Sequence, residues 1–68
     1  MFKIGDIVVF TGLYSKNMGD TGTIWKASKL TSNDKGVYNK DRKVWSNKIR
    51  KATEDEIKWF EAGITNIN

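Results

Sequence analysis

Apolar residues fall along this chain in bursts of two to four, separated by polar or glycine-bearing breaks, the pattern of short strands rather than long helices. Ile7-Val8-Val9-Phe10 is β-branched and aromatic, and Gly12 follows where backbone freedom is needed, which predicts a first strand. After the insert Leu13-Tyr14-Ser15-Lys16-Asn17-Met18, Gly19 and Gly22 bracket an Asp-Thr step that suits a tight turn or bulge. That turn feeds a second strand from Thr23 to Leu30, in which period-two alternation puts Ile24 inward and Trp25 on the other face. Thr31-Ser32-Asn33-Asp34-Lys35-Gly36 is polar or glycine throughout and reads as a loop. Val37-Tyr38, the turn Asn39-Lys40-Asp41-Arg42 and a strand from Lys43 to Ile49 read as a hairpin. Ile49-Arg50-Lys51 is then a final edge strand or a helical turn.

The period changes at Thr53-Glu54-Asp55-Glu56, a capping box in which the Thr53 hydroxyl and the Glu56 carboxylate each satisfy the other's backbone N–H. Three acids in the first turn favour the helix dipole, and Gly63 is a natural stop. Ile57, Phe60 and Ile64 recur at helical spacing, so one apolar stripe is expected to dock on the strands and plug an open end. Trp59 falls opposite that stripe and is either half-covered by the tail or exposed as a protein contact.

Gly5-Asp6-x-Val8-x-Phe10, Gly12, and the return Gly19-x-x-Gly22-x-Ile24 resemble the KOW motif of small SH3-like barrels. The connecting loop departs from that motif: it is longer and carries one lysine, Lys16, in place of a basic cluster. The resemblance implies a mostly β fold, a small SH3-like (KOW/Tudor-like) barrel of four to five antiparallel strands with a short C-terminal α-helix. Residues 1–52 would form the barrel, and 53–68 the capping helix and tail of the same single domain. It also implies binding of nucleic acid or protein rather than catalysis. The close, Ile49-Arg50-Lys51-Ala52-Thr53-Glu54-Asp55-Glu56-Ile57, resembles the ending of many small bacteriophage-encoded SH3-like proteins. By that analogy a role in redirecting host transcription, translation or nucleoid structure is expected.

At 68 residues the chain makes one domain, and a domain this small buries only about 60% of its unfolded surface. It has no Cys and no His, so disulfides, thiolate metal ligands and the commonest acid–base group are all missing, and no cofactor is expected. Stability must come from packing, for which three Trp, three Phe and two Tyr supply large area per residue. No apolar run approaches the ~20 residues of a membrane span, and Met1 to Asp6 leads straight into the first strand. A cytoplasmic protein without membrane contact is expected, in the host cytoplasm if the origin is viral. Net charge is +4, unevenly placed: residues 1–52 hold eleven Lys and Arg against four Asp, and residues 53–68 hold one Lys against four acids. A basic body fits a binder of phosphate backbones or of an acidic protein surface, and equally a surface kept soluble by lysine.

Catalysis has little to stand on. Glu54, Asp55 and Glu56 are accounted for by capping, and Ser15, Ser28, Ser32 and Ser46 have no histidine to activate them. Basic residues interleaved with aromatics suit unpaired nucleic acid better. The candidate phosphate contacts are Lys16, Lys26, Lys29, Lys40, Arg42, Lys43, Lys48, Arg50 and Lys51, the preferred clusters being Lys40-Arg42-Lys43 and Lys48-Arg50-Lys51. Tyr14, Trp25 and Tyr38 are candidate stacking rings, with Trp25 open between a surface site and a second packing layer. Trp45, with Ile49 four residues on, is expected in the core. With two arginines in the chain, binding is expected to be weakly sequence-specific and salt-sensitive. The alternative is a small adaptor or inhibitor that docks on a partner protein through the same aromatic face or a free sheet edge. A monomer or weak dimer is expected in either case.

Overall fold

A computed structural model describes residues 2–32 and 36–68; Asn33, Asp34 and Lys35 of the expected 31–36 loop lie outside the described residues. The chain is mostly β, with strands β1 (Ile7–Phe10), β2 (Ile24–Lys26), β3 (Val37–Asn39), β4 (Val44–Ser46) and β5 (Ile49–Lys51), then helix α1 (Glu54–Glu61). All pairings are antiparallel and form two sheets, β2-β1-β5 and β3-β4, with no closed barrel among the described residues. No helix among them is long and apolar enough to cross a membrane.

β1 is the central strand of the first sheet because its β-branched residues fit a surface covered on both faces. Val8 stands opposite Trp25 and Val9 opposite Ile24, and all four are buried. Val8, Phe10, Met18, Trp25, Ala27 and Val37 form the main core, with Phe2, Leu30, Val44 and Ile49 packed against it. The other face, carrying Val9 and Ile24, is closed by the chain beyond β5. Ile24 N–H donates to the Thr65 carbonyl (2.9 Å), Ile67 N–H donates to Gly22 (3.0 Å), and Phe60 and Thr65 flank Ile24.

The expected second strand does not run unbroken to Leu30. It leaves the first sheet after Lys26, holds Ala27 N–H against the Asp6 carbonyl, and passes to the second sheet, where Lys29 accepts from Tyr38 N–H and Leu30 bridges to Val37. The expected fourth strand, 43–49, is divided at Asn47 and Lys48 into β4 and β5, with Lys48 N–H donating to the Ser46 hydroxyl (3.2 Å). The first loop is a small hairpin of its own. Ser15 and Gly19 exchange two backbone hydrogen bonds, and Met18 drops into the core.

α1 begins on the capping box read from the sequence and ends in a Schellman motif. Gly63, at φ 97°, donates to the Phe60 carbonyl and Ile64 N–H donates to Trp59. The helix therefore stops short of Ile64, which is 41% exposed; Ile57 and Phe60 are half-buried, and the expected three-residue stripe is cut to two. Trp59 is 44% exposed.

The start of α1 is pinned by an ion pair. Arg50, opposite Val9 in β5, donates from Nη1 and Nη2 to the two Glu56 carboxylate oxygens at 2.7 and 2.8 Å, and Thr53 N–H donates to the same carboxylate. The Arg50 guanidinium, first, and the Thr53 N–H, second, hold the Glu56 carboxyl well below the usual carboxylate range, at about 2. A carboxyl depressed in the folded state stabilises above the unfolded-state pKa and loses that contribution as pH falls from there toward 2. Urea midpoints measured between pH 6 and 2 should therefore fall more steeply for the wild-type chain than for Glu56→Gln. Equal pH slopes would show that the pair contributes nothing. Thr53→Ala should lower stability by about 1 kcal/mol at neutral pH.

Candidate nucleic-acid interface

Alternation along β3 turns Val37 and Asn39 inward, both buried, and leaves Tyr38 on the outer face. Across the hairpin the register is Tyr38 opposite Trp45, and Val44 packs against the core. The turn sets this register. Asn39 Oδ1 accepts from the N–H groups of Asp41 and Arg42 (3.1 and 3.2 Å), and Lys43 takes a left-handed φ of 56° to bring the chain back. The two outward rings sit with centroids 5.1 Å apart and planes tilted by 57°. Lys29 Nζ stands 5.1 Å from the Tyr38 ring centroid, a cation–π distance. The neighbouring backbone bond from Tyr38 N–H to the Lys29 carbonyl keeps these two residues abreast. Lys29, Tyr38 and Trp45 thus form one line across the outer face, from the second-strand extension through β3 to β4.

The expectation that Trp45 lies in the core is overturned: the residue is 47% exposed. In an unbroken strand Trp45 and Ile49 would share a face, but the bend at Asn47 and Lys48 resets the alternation, so Ile49 turns in while Trp45 stays out. Trp25 goes the opposite way. It is 4% exposed and its indole N–H donates to the Tyr38 carbonyl (3.2 Å), so it offers no free ring to a base and is core. Tyr14, 69% exposed beside the 88% exposed Leu13, has no ring contact with the Tyr38–Trp45 pair among the described residues.

The basic candidates do not form the two clusters that sequence proximity implies. In the turn cluster, Arg42 lies over Gly19: a Cβ built on that glycine would fall 2.7 Å from Nη2. There Arg42 shares a cleft with Asp20 and Asp41, away from the exposed ring line. Lys40 lines a neighbouring cleft that also holds Asp41, and Lys43 is exposed in the turn. In the second cluster Arg50 is committed to Glu56, and Lys51 Nζ stands 3.9 Å from an Asp6 carboxylate oxygen, whereas Lys48 has no ion pair among the described residues. Lys16 is exposed at the tip of the first loop, and Lys26 is exposed at the end of β2, paired with Ile7. No group of three or more His, Cys, Asp or Glu among the described residues is placed to hold a metal ion.

No protein-family profile, curated protein sequence or solved structure matches this chain.

The three tryptophans have separable roles. Trp25→Ala should remove about 3–5 kcal/mol, enough to unfold much of a domain this small. Trp45→Ala should cost no more than about 1 kcal/mol, the scale of one cross-strand pair. Chemical denaturation of both variants checks this; a Trp45→Ala loss as large as that of Trp25→Ala would mean that the Trp45 ring is structural.

Proposed function

We propose that this chain is a non-catalytic nucleic-acid-binding module on an SH3-like frame. The frame is supported by the strand order β5-β1-β2 continuing, through Lys29, Leu30 and Val37, into β3-β4. The binding role rests on one observation, the exposed Trp45 ring paired with the half-buried Tyr38, with the Lys29 ammonium beside Tyr38. Every base has a π-face, so a ring pair of this kind takes unpaired bases with little regard to sequence, while lysine neutralises phosphate as a point charge. Of the two side chains best suited to bidentate reading of guanine, Arg50 is held by Glu56, and Arg42 is exposed on a cleft beside Asp20 and Asp41, apart from the ring pair. Weak sequence preference and strong dependence on salt result from that division.

Titration of the intrinsic fluorescence with single-stranded DNA, single-stranded RNA and duplex DNA, at low and physiological salt, tests the proposal. Saturable binding that weakens linearly in log salt is expected, with single strands preferred over duplex. Trp45→Ala should weaken single-strand binding by about 5- to 150-fold, the range equivalent to about 1–3 kcal/mol for one stacked base. Failure of a folded sample to bind any of the three at low salt would overturn the proposal and direct attention to a protein partner.

A further inference from the structure

Trp45 belongs to two features at once. Besides pairing with Tyr38, it lines an open groove of about 880 Å³ bounded by the first loop, by Thr31 and Gly36, and by the bend between β4 and β5. Leu13, largely exposed, and the half-buried Ile49 supply apolar wall over the buried Phe10 and Met18, and Asn47 and Lys48 stand at the bend. Glycines shape it: a Cβ on Gly12 would fall 2.7 Å from the Phe10 ring and 3.1 Å from Lys48 Cδ, and a Cβ on Gly36 would fall 2.9 Å from Thr31 Cγ2. A side chain at position 12 would drive into the Phe10 ring and would push the Lys48 stem aside by a few tenths of an ångström.

The groove also carries positive charge. Among its described lining residues there is no Asp or Glu, and Lys48 is the one ionised side chain among them. The two smaller clefts, of about 310 and 350 Å³, mix signs: the first holds Lys26 and Lys40 with Asp41, and the second Arg42 with Asp20 and Asp41. The groove beside Trp45 offers an anionic chain a cation with no carboxylate among its described lining residues.

We infer that the groove receives the unpaired nucleotide adjacent to the one stacked on Trp45, with its base against the wall of Leu13 and Ile49 and its phosphate toward Lys48. This rests on the nucleic-acid reading above and narrows it to a single-stranded segment of at least two nucleotides, held between Lys29 at one end and Lys48 at the other. A duplex cannot meet this demand, because its bases are stacked on one another and cannot enter a groove walled by side chains.

Backbone amide NMR of the full chain, titrated at low salt with single-stranded hexathymidylate and with a hexamer DNA duplex, tests it. The single strand should shift the amides of Gly12, Gly36 and Asn47 saturably, together with the Trp45 indole, and the duplex should leave the three amides in place. Asn47→Glu and Lys48→Glu, both at exposed positions, should each weaken hexathymidylate binding by about five- to tenfold, whereas Lys58→Glu on α1 should change it less than about twofold. If the Trp45 indole shifts while the groove amides stay silent and both glutamates are harmless, the groove inference falls and the nucleic-acid reading stands. If the duplex moves the same amides equally, the demand for unpaired bases is wrong. Absence of any shift with either oligonucleotide removes both.

Discussion

The hydrogen bond from the Trp25 indole N–H to the Tyr38 carbonyl joins the two sheets at the centre of the molecule. Trp25 belongs to β2 in the first sheet and Tyr38 to β3 in the second, and the ring lies among Val8, Phe10, Ala27 and Val37. A buried indole requires an acceptor, and a buried carbonyl requires a donor, so each answers a need of the other. The chain has neither cysteine nor histidine to staple it, so this bond, the packing around it and the backbone pairing of Lys29 and Leu30 with β3 carry the relation between sheets. The bond also decides what the protein shows to solvent. With the Tyr38 carbonyl held against Trp25 and with Val37 and Asn39 turned inward, the Tyr38 ring goes outward and Trp45 beside it.

A second constraint acts through charge. α1 is too short to be stable from propensity alone, and its first turn is fixed to β5 by Arg50 reaching both oxygens of Glu56. The carboxylate that closes the capping box also receives the guanidinium, so the backbone donor at Thr53 and the strand beneath are tied to one side chain. The basic surface is correspondingly less arginine-rich than the composition implies. Lysine supplies most of the exposed positive charge among the described residues, and the outer face of β3 and β4 gains attraction for anions from Lys29 without an arginine beside its rings.

Much of the frame was legible because it rests on local rules. The strand at Ile7–Phe10, the capping box at Thr53 and the stop at Gly63 each depend on a few neighbouring residues, and each is found where those residues place it. The errors arise where phase or tertiary coverage decides. Trp45 and Ile49 share a face only in a continuous strand, and the bend at Asn47 and Lys48, signalled by the turn-forming pair Ser46-Asn47, reverses one of them. Trp25 and Ile24 cannot both face inward on a sheet with one solvated side; they do so here because the chain after β5 covers the second face. Met18, unremarked in a polar insert, is core, and its only sequence signal is one flexible apolar residue just before Gly19. The line of Lys29, Tyr38 and Trp45 spans three segments and arises from cross-strand register, which composition does not contain.

The pairing of Thr65–Ile67 with the Gly22–Ile24 edge bears on how the chain acquires its fold during synthesis. The Asn66 side chain reaches the Thr21 carbonyl across 45 positions of sequence, and Ile24 and Ile67 add backbone bonds over a similar span. Contacts of that separation form late and slow the search for the native state. The outer edge of β2 therefore stays bare while the nascent chain lengthens, and it is sheathed only when the segment beyond α1 has left the ribosome. Until then that edge is a template for any other strand in reach, so residues 65–67 act as the chain's own guard against pairing with its neighbours on a crowded polysome.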